Sequence, residues 1–311
     1  MRYRPSAMRL LVITARYPTR DRPAAGSFVR DRLADPRLSS VVVAPRRYDG
    51  SAWRRYGALL WRGLTARGHF DGVEGHFVLP SGFIALLVAR LRRLPLVVYA
   101  HGGDVREMAA RNRLMRLAAR AVVRGADAVV TNSQETAGLV LQLGAEAAVV
   151  PPGIDLSRFD PQPMPALRRV LYLGGDFEHK GVDVARKLAH TLVGPGIREL
   201  DPSEIPALMA AHTVVLVPSR AEPFGLVAAE AIACGRWVVA RAVGGLVEIV
   251  TDGVNGTLVA DEDFAGALAR VPDYDPATLA STADRFSIET HRGRMTEIWS
   301  GVLERRAISP G

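Results

Sequence analysis

The stretch TVVLVPSRAEPFGLVAAEAIACG, residues 213–235, decides the fold class. An apolar, β-branched run ends at Pro218 and Ser219, and a polar turn carries Glu222. An alanine-rich helical pattern then begins near Gly225 and ends at Gly235. Proline near the first turn of a helix and glycine just past its last turn are the usual places for these residues. A buried strand, a polar turn and a helix in this order predict one unit of a parallel α/β sheet.

The same alternation extends along the whole chain, interrupted by a proline-rich stretch at 151–165. Strand-like runs occupy 10–14, 41–45, 96–101 and 128–133, then 170–174, 213–219 and 237–241, with a weak candidate at 191–194. Helix-like stretches occupy 27–34, 82–93 and 112–124, then 181–192, 204–211 and 225–234. We therefore predict an α/β fold of two doubly wound, Rossmann-like domains, 1–165 and 166–285, facing across a cleft.

The composition excludes several classes of protein. A chain of 311 residues is long enough for about two domains, each with its own core. A single cysteine, Cys234, excludes an internal disulfide and a cysteine-based metal site. The first apolar run is too short for the core of a signal peptide, and charged residues interrupt the longest one. We expect a cytoplasmic protein.

The charge is distributed unevenly. Residues 1–165 hold 25 arginines against 13 acidic residues, whereas residues 166–311 hold 15 basic against 19 acidic ones, for a net charge of +8 overall. The basic half should attract an anionic partner, such as a membrane face or a phosphorylated substrate, and less readily nucleic acid. Only two of the 40 basic residues are lysines, Lys180 and Lys187, so a lysine inside a glycine-rich turn suggests a specific role.

Three motifs follow predicted strands, where ligands of doubly wound folds bind. The backbone N–H groups that open the 225–234 helix form a potential anion site, and Glu230 lies on that otherwise apolar helix. GGDFEHKG (174–181) places Lys180 in a turn suited to a pyrophosphate. HGGD (101–104) places His101 at a strand end. Taken singly, each has a structural alternative: a buried ion pair, a plain turn with a solvated lysine, and a core histidine.

Together these motifs resemble a known family. EPFGLV (222–227) with EAIACG (230–235), VGGLVE (243–248) and DGVNG (252–256) are similar to the donor-domain signature of retaining GT-B glycosyltransferases of family 4. HGGD, PGID (152–155) and Lys180-Gly181 occur in the order that this family shows. The resemblance covers nearly the whole chain. It implies an N-terminal acceptor domain, a shortened C-terminal donor domain, and a last helix (287–305) that packs back onto the first domain.

The resemblance also implies the reaction. A sugar would pass from a nucleotide diphosphate sugar to an acceptor hydroxyl with retention of configuration, by front-face displacement, in polysaccharide or glycolipid assembly or natural-product glycosylation. The catalytic residues would be His101, near the reacting carbon, Lys180, on the departing pyrophosphate, and Glu222, on the sugar hydroxyls. A developing phosphate charge needs such a cation. The acceptor would be a small molecule or a lipid-linked glycan, and no cofactor would be needed.

The remaining donor contacts are implied in the same way. Glu230 would hold the ribose hydroxyls, and Gly26 would let the first domain close over the phosphates. The backbone around Phe224 would support the sugar or pyrophosphate, and Asp104 would face the acceptor. The predicted donor-binding set is Gly26, Gly175, Lys180, Glu222, Phe224, Gly225, Leu226 and Glu230.

Two departures from the family motivate an alternative function. Gly175 stands where the family has a second pyrophosphate-binding arginine, and the donor domain lacks much of one βα unit. Arg220 is a candidate replacement for the arginine. A catalytically silent GT-B-like partner protein would also show both departures. A dinucleotide-dependent oxidoreductase fits less well, because no strand is followed by the full glycine fingerprint.

Two further features concern metal and membrane contacts. The acidic pairs 261–263 and 273–275 match a metal-binding pattern, but capping and turn roles fit them better, so we expect no metal. Arginines at 113, 116, 120 and 124 form a stripe, and WRRYGALLWRGL (53–64) has an apolar helical face. Either helix could lie on an anionic membrane, and either could be an ordinary core-packed helix with a solvated basic face.

Overall fold

The computed structural model describes residues 7–20, 22, 25–48, 51–108 and 110–308. The chain divides into two compact units. Unit 1 comprises Met1–Gly153 and His291–Gly311, and unit 2 comprises Ile154–Thr290.

Unit 1 is built on a parallel sheet. Its described strands are β1 (Met8–Thr14), β2 (Leu38–Val43), β3 (Gly72–His76), β4 (Leu96–Ala100), β5 (Ala128–Thr131) and β6 (Ala148–Val149), in the order β2-β1-β3-β4-β5-β6. The helices between them are α1 (Ser27–Leu33), α2 (Ala52–Thr65), α3 (Phe83–Arg92), α4 (Arg113–Gly125) and α5 (Gln134–Gln142). Strands β1, β3, β4 and β5 are almost wholly buried, as inner strands of a parallel sheet should be, whereas the edge strands β2 and β6 are partly exposed.

The central strand β3 was not predicted. Its sequence GVEGH contains two glycines, a glutamate and a histidine, which are poor strand formers. Tertiary packing explains the sequence. A Cβ at Gly72 would collide with the Trp299 ring, and one at Gly75 would lie 2.8 Å from the Cβ of Ala85. Both glycines therefore let neighbouring elements pack directly on the strand.

Unit 2 is built on a second parallel sheet. Its described strands are β7 (Val170–Leu173), β8 (Thr191–Val193), β9 (Val214–Val217), β10 (Trp237–Arg241) and β11 (Gly256–Val259), in the order β11-β10-β9-β7-β8. The helices are α6 (Val182–Leu188), α7 (Ile205–Ala210), α8 (Leu226–Ala233), α9 (Leu246–Ile249), α10 (Phe264–Ala269) and α11 (Pro276–Ser281). The weak strand candidate at 191–194 is the edge strand β8.

Two predicted boundaries need correction. The helix predicted over 181–192 ends at Leu188, because the chain turns there into β8. The predicted domain boundary at 165/166 lies instead at 153/154. Ile154 belongs to unit 2 because its N–H donates to the Phe286 carbonyl and its own carbonyl accepts from Ile288, both at 2.8 Å.

The last helix, α12 (Ile288–Ile308), contributes to unit 1 from His291 onward. Its Met295, Trp299 and Val302 are buried in one cluster with Leu10 of β1 and Tyr99 of β4. The Arg292 guanidinium donates to the Asp31 carbonyl at 2.6 Å. Within the described part of the chain, no helix combines the length and the apolar character that a membrane span requires.

Candidate functional site

In unit 2, two of the predicted catalytic side chains are in contact. Lys180 follows β7 and Glu222 follows β9, and these strands are neighbours in the sheet. The Lys180 Nζ lies 2.7 Å from Glu222 Oε2, and the Ser219 hydroxyl donates to the same oxygen at 3.2 Å. The two side chains are 28% and 13% exposed. The pair is therefore open to solvent and within reach of a ligand.

A cavity lies beside this ion pair. It has a volume of about 210 Å³ and is lined by Lys180, Glu222 and Ser219 together with Gly174, Pro195 and Val227, among others. One wall comes from the turn after β7, another from the loop after β8, and a third from the first turn of α8. The cavity thus lies at the carboxyl ends of adjacent parallel strands, where ligands of this fold class bind.

The first turn of α8 is the predicted anion site. Gly225 has a φ of 109° and no side chain caps the helix, so the first backbone N–H groups lack an intrahelical partner. Phe224 is buried, with its ring edge-to-face on Phe286 at a centroid distance of 5.7 Å. Leu226 is the first helical residue, and Glu230 is half-buried one turn later. The donor contacts predicted for these residues stay predictions.

Gly175 is a glycine for steric reasons. Its φ is 75°, and a Cβ there would lie 2.8 Å from the Pro195 carbonyl oxygen. A Cβ at Gly194 would in turn lie 2.5 Å from the Gly175 nitrogen. The turn after β7 and the loop after β8 therefore touch through their backbones. An arginine at position 175 would meet this loop, which accounts for the departure from the family pattern.

Arg220, the candidate replacement for that arginine, has other partners here. Its guanidinium donates to both carboxylate oxygens of Asp183 at 2.8 Å and to the Glu178 carbonyl at 2.7 Å. The hydrogen bonds from Arg220 lower the pKa of Asp183 to about 2. These bonds use three of the five N–H donors of the guanidinium and fix its orientation toward Asp183.

In unit 1, aromatic rings surround His101 at the end of β4. Its ring centroid lies 4.5 Å from Tyr99 and from Phe77, and 4.7 Å from Phe28. Burial lowers the pKa of His101 well below its usual value, and His76, His291 and Arg16 act in the same direction. The imidazole is therefore neutral at pH 7 and able to both donate and accept a hydrogen bond.

Asp104 supports the backbone that carries His101. Its carboxylate accepts hydrogen bonds from the backbone N–H groups of His101, at 3.0 Å, and of Val78. The side chain is buried, and burial raises its pKa to about 6 in spite of these bonds. The acceptor contact predicted for Asp104 stays a prediction.

Gly26 directly precedes α1 with a φ of 68°, and a Cβ there would collide with the Arg16 carbonyl.

A buried polar cluster connected to His101 was not predicted from the sequence. Glu74 Oε2 accepts from Trp299 Nε1 at 2.7 Å and lies 3.4 Å from Arg32 Nη2. Glu74 Oε1 lies 3.1 Å from His76 Nε2, and His76 Nδ1 lies 3.1 Å from His101 Nε2. One sequence signal was available: a glutamate and a histidine two residues apart lie on the same face of a strand.

The ionisation of Glu74 is set by its partners. Burial alone would raise the pKa of this carboxyl group, but the Arg32 guanidinium and hydrogen bonds from His76 and Trp299 outweigh that effect and lower the pKa to about 2. Glu74 and Arg32 are no more than 1% exposed. The cluster is therefore a charged network closed to solvent.

The two acidic pairs act as caps. Asp263 accepts from the Gly266 N–H at 2.8 Å at the start of α10, and Asp275 accepts from the Thr278 N–H at 2.7 Å at the start of α11. Their predicted capping roles are confirmed. Among the described residues, no group of His, Cys, Asp and Glu side chains is arranged to hold a metal ion.

Comparisons with known proteins identify the family of the chain. Residues 8–158 match the family model described as Glycosyltransferase Family 4, and residues 162–272 match Glycosyl transferases group 1. D-inositol 3-phosphate glycosyltransferase 1 of Catenulispora acidiphila is 32% identical, over 88% of this chain and 83% of the relative. The D-inositol 3-phosphate glycosyltransferase of Kribbella flavida is also 32% identical, over 73% and 68%.

Solved structures show the same fold. HepE of Anabaena in complex with UDP superposes with a TM-score of 0.72 at 19% identity, over 94% of this chain and all of that one. Sucrose-phosphate synthase of Thermosynechococcus elongatus superposes with a TM-score of 0.73 at 19% identity, over 96% and 100%. Two parallel sheets with helices and this similarity define a glycosyltransferase of the GT-B fold class. The chain belongs to the group 1, or family 4, glycosyltransferases.

Proposed function

We propose that this glycosyltransferase moves a sugar from a nucleotide diphosphate sugar to an acceptor hydroxyl, and that unit 2 binds the donor. The observation that carries the proposal is the Lys180–Glu222 ion pair beside the cavity. Lys180 supplies a compact cation for the leaving diphosphate, and Glu222 supplies acceptors for sugar hydroxyls. The uncapped start of α8 adds backbone donors for a phosphate.

The ion pair implies an exchange of partners on donor binding. In the free enzyme Glu222 neutralises Lys180 at 2.7 Å. A diphosphate would compete for the same ammonium group, because it carries more charge and offers more acceptor oxygens. The freed carboxylate could then accept from the sugar. Retention of configuration by front-face displacement fits this arrangement, because Lys180 would stabilise charge on the leaving group.

Purified protein incubated with a panel of nucleotide sugars tests the proposal. We expect release of a nucleoside diphosphate, faster when an acceptor is present, and an α-linked product from an α-linked donor by NMR. Activity should survive EDTA. A folded protein that binds and cleaves none of the panel would instead support a catalytically silent partner protein.

The acceptor is proposed from the charge of unit 1. Its residues carry 28 arginines against 13 acidic residues, whereas unit 2 carries 12 basic against 19 acidic ones. An anionic acceptor would be attracted to the basic unit. D-inositol 3-phosphate, named for both curated relatives, is therefore the first acceptor to compare with unphosphorylated inositol and with a lipid-linked glycan.

For a lipid-linked acceptor, we propose in addition a peripheral contact between unit 1 and an anionic membrane. The outer face of α4 exposes Leu114 and Leu117, at 69% and 63%, between the arginines of the stripe. The opposite face of α4 is buried, with Ala119, Val122 and Val123. On α2, Tyr56, Leu60 and Leu64 pack on the core, whereas Trp53 and Trp61 are 89% and 68% exposed.

Binding to lipid vesicles tests the membrane contact. We expect tighter binding to anionic than to neutral vesicles, with a steep loss between low and physiological salt. Replacing Arg113, Arg116 and Arg120 by glutamine should weaken it and leave nucleotide-sugar binding unchanged. Equal binding to both kinds of vesicle would exclude this contact and favour a free anionic acceptor.

A further inference from the structure

The buried cluster in unit 1 ends on the ring of His101. Hydrogen bonds connect Glu74 Oε1 to His76 Nε2, and His76 Nδ1 to His101 Nε2, each at 3.1 Å. The remaining nitrogen, His101 Nδ1, takes no part in these two bonds. The chain of bonds therefore begins at Glu74 and ends at the His101 ring.

The direction of the bonds follows from their ends. Glu74 is ionised, so its Oε1 can only accept, and His76 Nε2 must carry a proton. When the His76 ring carries its proton only on Nε2, its Nδ1 accepts and His101 Nε2 donates. Burial lowers the pKa of His101 well below its usual value, so a His101 ring with its proton on Nε2 holds a lone pair on Nδ1.

The His101 ring is held in this orientation by packing. Tyr99 stacks on it with an interplanar angle of 19°, and His76 stacks with an angle of 20°. Phe77 and Phe28 contact the ring at centroid distances of 4.5 and 4.7 Å. The Asn132 side chain donates to the His101 carbonyl at 3.0 Å. A 180° flip of the ring would put Cε1 in the place of Nε2 and break the hydrogen bond to His76.

We propose that Glu74 and His76 are positioning residues that fix the tautomer of His101, so that Nδ1 accepts a hydrogen bond from a substrate hydroxyl. The substrate contact rests on the proposed glycosyltransferase function, whereas the tautomer does not. Arg32 and Trp299 hold the other carboxylate oxygen, which keeps Glu74 ionised and oriented toward His76. In other proteins, a residue that hydrogen-bonds to one ring nitrogen of a histidine determines the chemistry of the other nitrogen.

The variant Glu74→Gln tests the chain of hydrogen bonds from Glu74 to His101, because it should reverse the direction of both bonds. Trp299 and Arg32 are both donors to the Oε2 position, so the glutamine carbonyl must face them and its NH₂ must face His76. His76 Nε2 would then accept, His76 Nδ1 would donate, and His101 would carry its proton on Nδ1. Nitrogen-15 NMR of histidine-labelled protein distinguishes the two tautomers without any substrate.

We expect an Nε2–H tautomer for His101 in the wild type and an Nδ1–H tautomer in Glu74→Gln. The matched control is Trp299→Phe, which removes a hydrogen bond to the same carboxylate but keeps Glu74 ionised, so the tautomer should not change. A wild-type His101 that carries its proton on Nδ1, or a tautomer unchanged by Glu74→Gln, would overturn the proposal. The wild-type spectrum alone decides the first point, even if the variant does not fold.

Kinetics test the role in substrate binding. Glu74→Gln should lower kcat/KM for the nucleotide sugar about tenfold, roughly the effect of one misdirected hydrogen bond. A reversed tautomer with unchanged kcat/KM would exclude the substrate contact of His101. Absence of nucleotide-sugar activity in the wild type would refute the proposed function, whereas the NMR result on the tautomer would still stand.

Discussion

The two units differ in how they hold their functional charges. In unit 1, Glu74 and Arg32 are no more than 1% exposed, and Trp299 and His76 also hydrogen-bond to Glu74. In unit 2, Lys180 and Glu222 are 28% and 13% exposed and line a cavity. A buried network keeps its geometry because breaking it leaves a charge without solvent. A solvent-accessible pair can exchange partners at small cost. Unit 1 is thus suited to positioning the His101 ring, and unit 2 is suited to binding and releasing an anion.

The largest expected difference is in stability. Glu74→Ala should lower the free energy of unfolding by about 3–5 kcal/mol, because Asp35, at 3.9 Å, is the one other acidic partner of Arg32 among the described residues. Glu222→Ala should lower it by less than about 1 kcal/mol. Urea unfolding of both variants measures the contrast. A loss for Glu74→Ala as small as that for Glu222→Ala would mean that the two charge clusters do not differ as described.

The buried histidines of unit 1 should make stability depend on pH. Burial lowers the pKa of His291 from 6.5 to about 4, so between these values the unfolded chain binds more protons. Acidification through this window therefore favours unfolding, by up to about 3 kcal/mol. Asp104, with its pKa raised to about 6, opposes the effect between pH 4 and 6.

The variant His291→Gln isolates the contribution of His291. Its amide can still donate to the Pro151 carbonyl, which His291 Nδ1 contacts at 2.7 Å. The free energy of unfolding, measured from pH 4 to 7, should fall less steeply toward acid in the variant than in the wild type. Parallel curves would show that His291 takes up no proton on unfolding.

The exchangeable pair of unit 2 should matter for turnover rather than for folding. Lys180→Ala should lower turnover at least about tenfold, because a cation on the leaving diphosphate is lost. Its thermal stability should change little, since the pair is partly exposed. Lys187→Ala removes the only other lysine of the chain, on the exposed side of α6, and should retain full turnover. Equal rates in both variants would remove Lys180 from the mechanism.

The smallest expected effect concerns the turn after β7. Gly175→Ala should cost about 1–2 kcal/mol, from a left-handed backbone and a contact with the Pro195 carbonyl. Gly253→Ala is the matched control, because Gly253 has a φ of 74° but open space around its Cβ. Thermal unfolding should show a larger loss for Gly175→Ala. Equal losses of stability would mean that the contact between residue 175 and the loop after β8 costs no additional free energy.

The sequence by itself determined the α/β class, most of the strand–helix units and the motifs at strand ends. These features depend on local periodicity and turn chemistry, which neighbouring residues carry. The strand before Glu222 and the helix after it could therefore be predicted closely, as could the caps at Asp263 and Asp275. Lys180 and Glu222 were both identified, because each follows its own predicted strand.

Only the tertiary structure decided that β3 is a strand and that Glu74 reaches His101. The residues of that cluster come from α1, β3, β4 and α12, so no sequence window contains them together. The glycines of β3 oppose strand formation locally and are favourable only because Trp299 and Ala85 pack against them. Long-range packing also explains Gly175, since its neighbour Pro195 is 20 residues away along the chain. Burial of charge depends on the whole fold, and local patterns do not encode it.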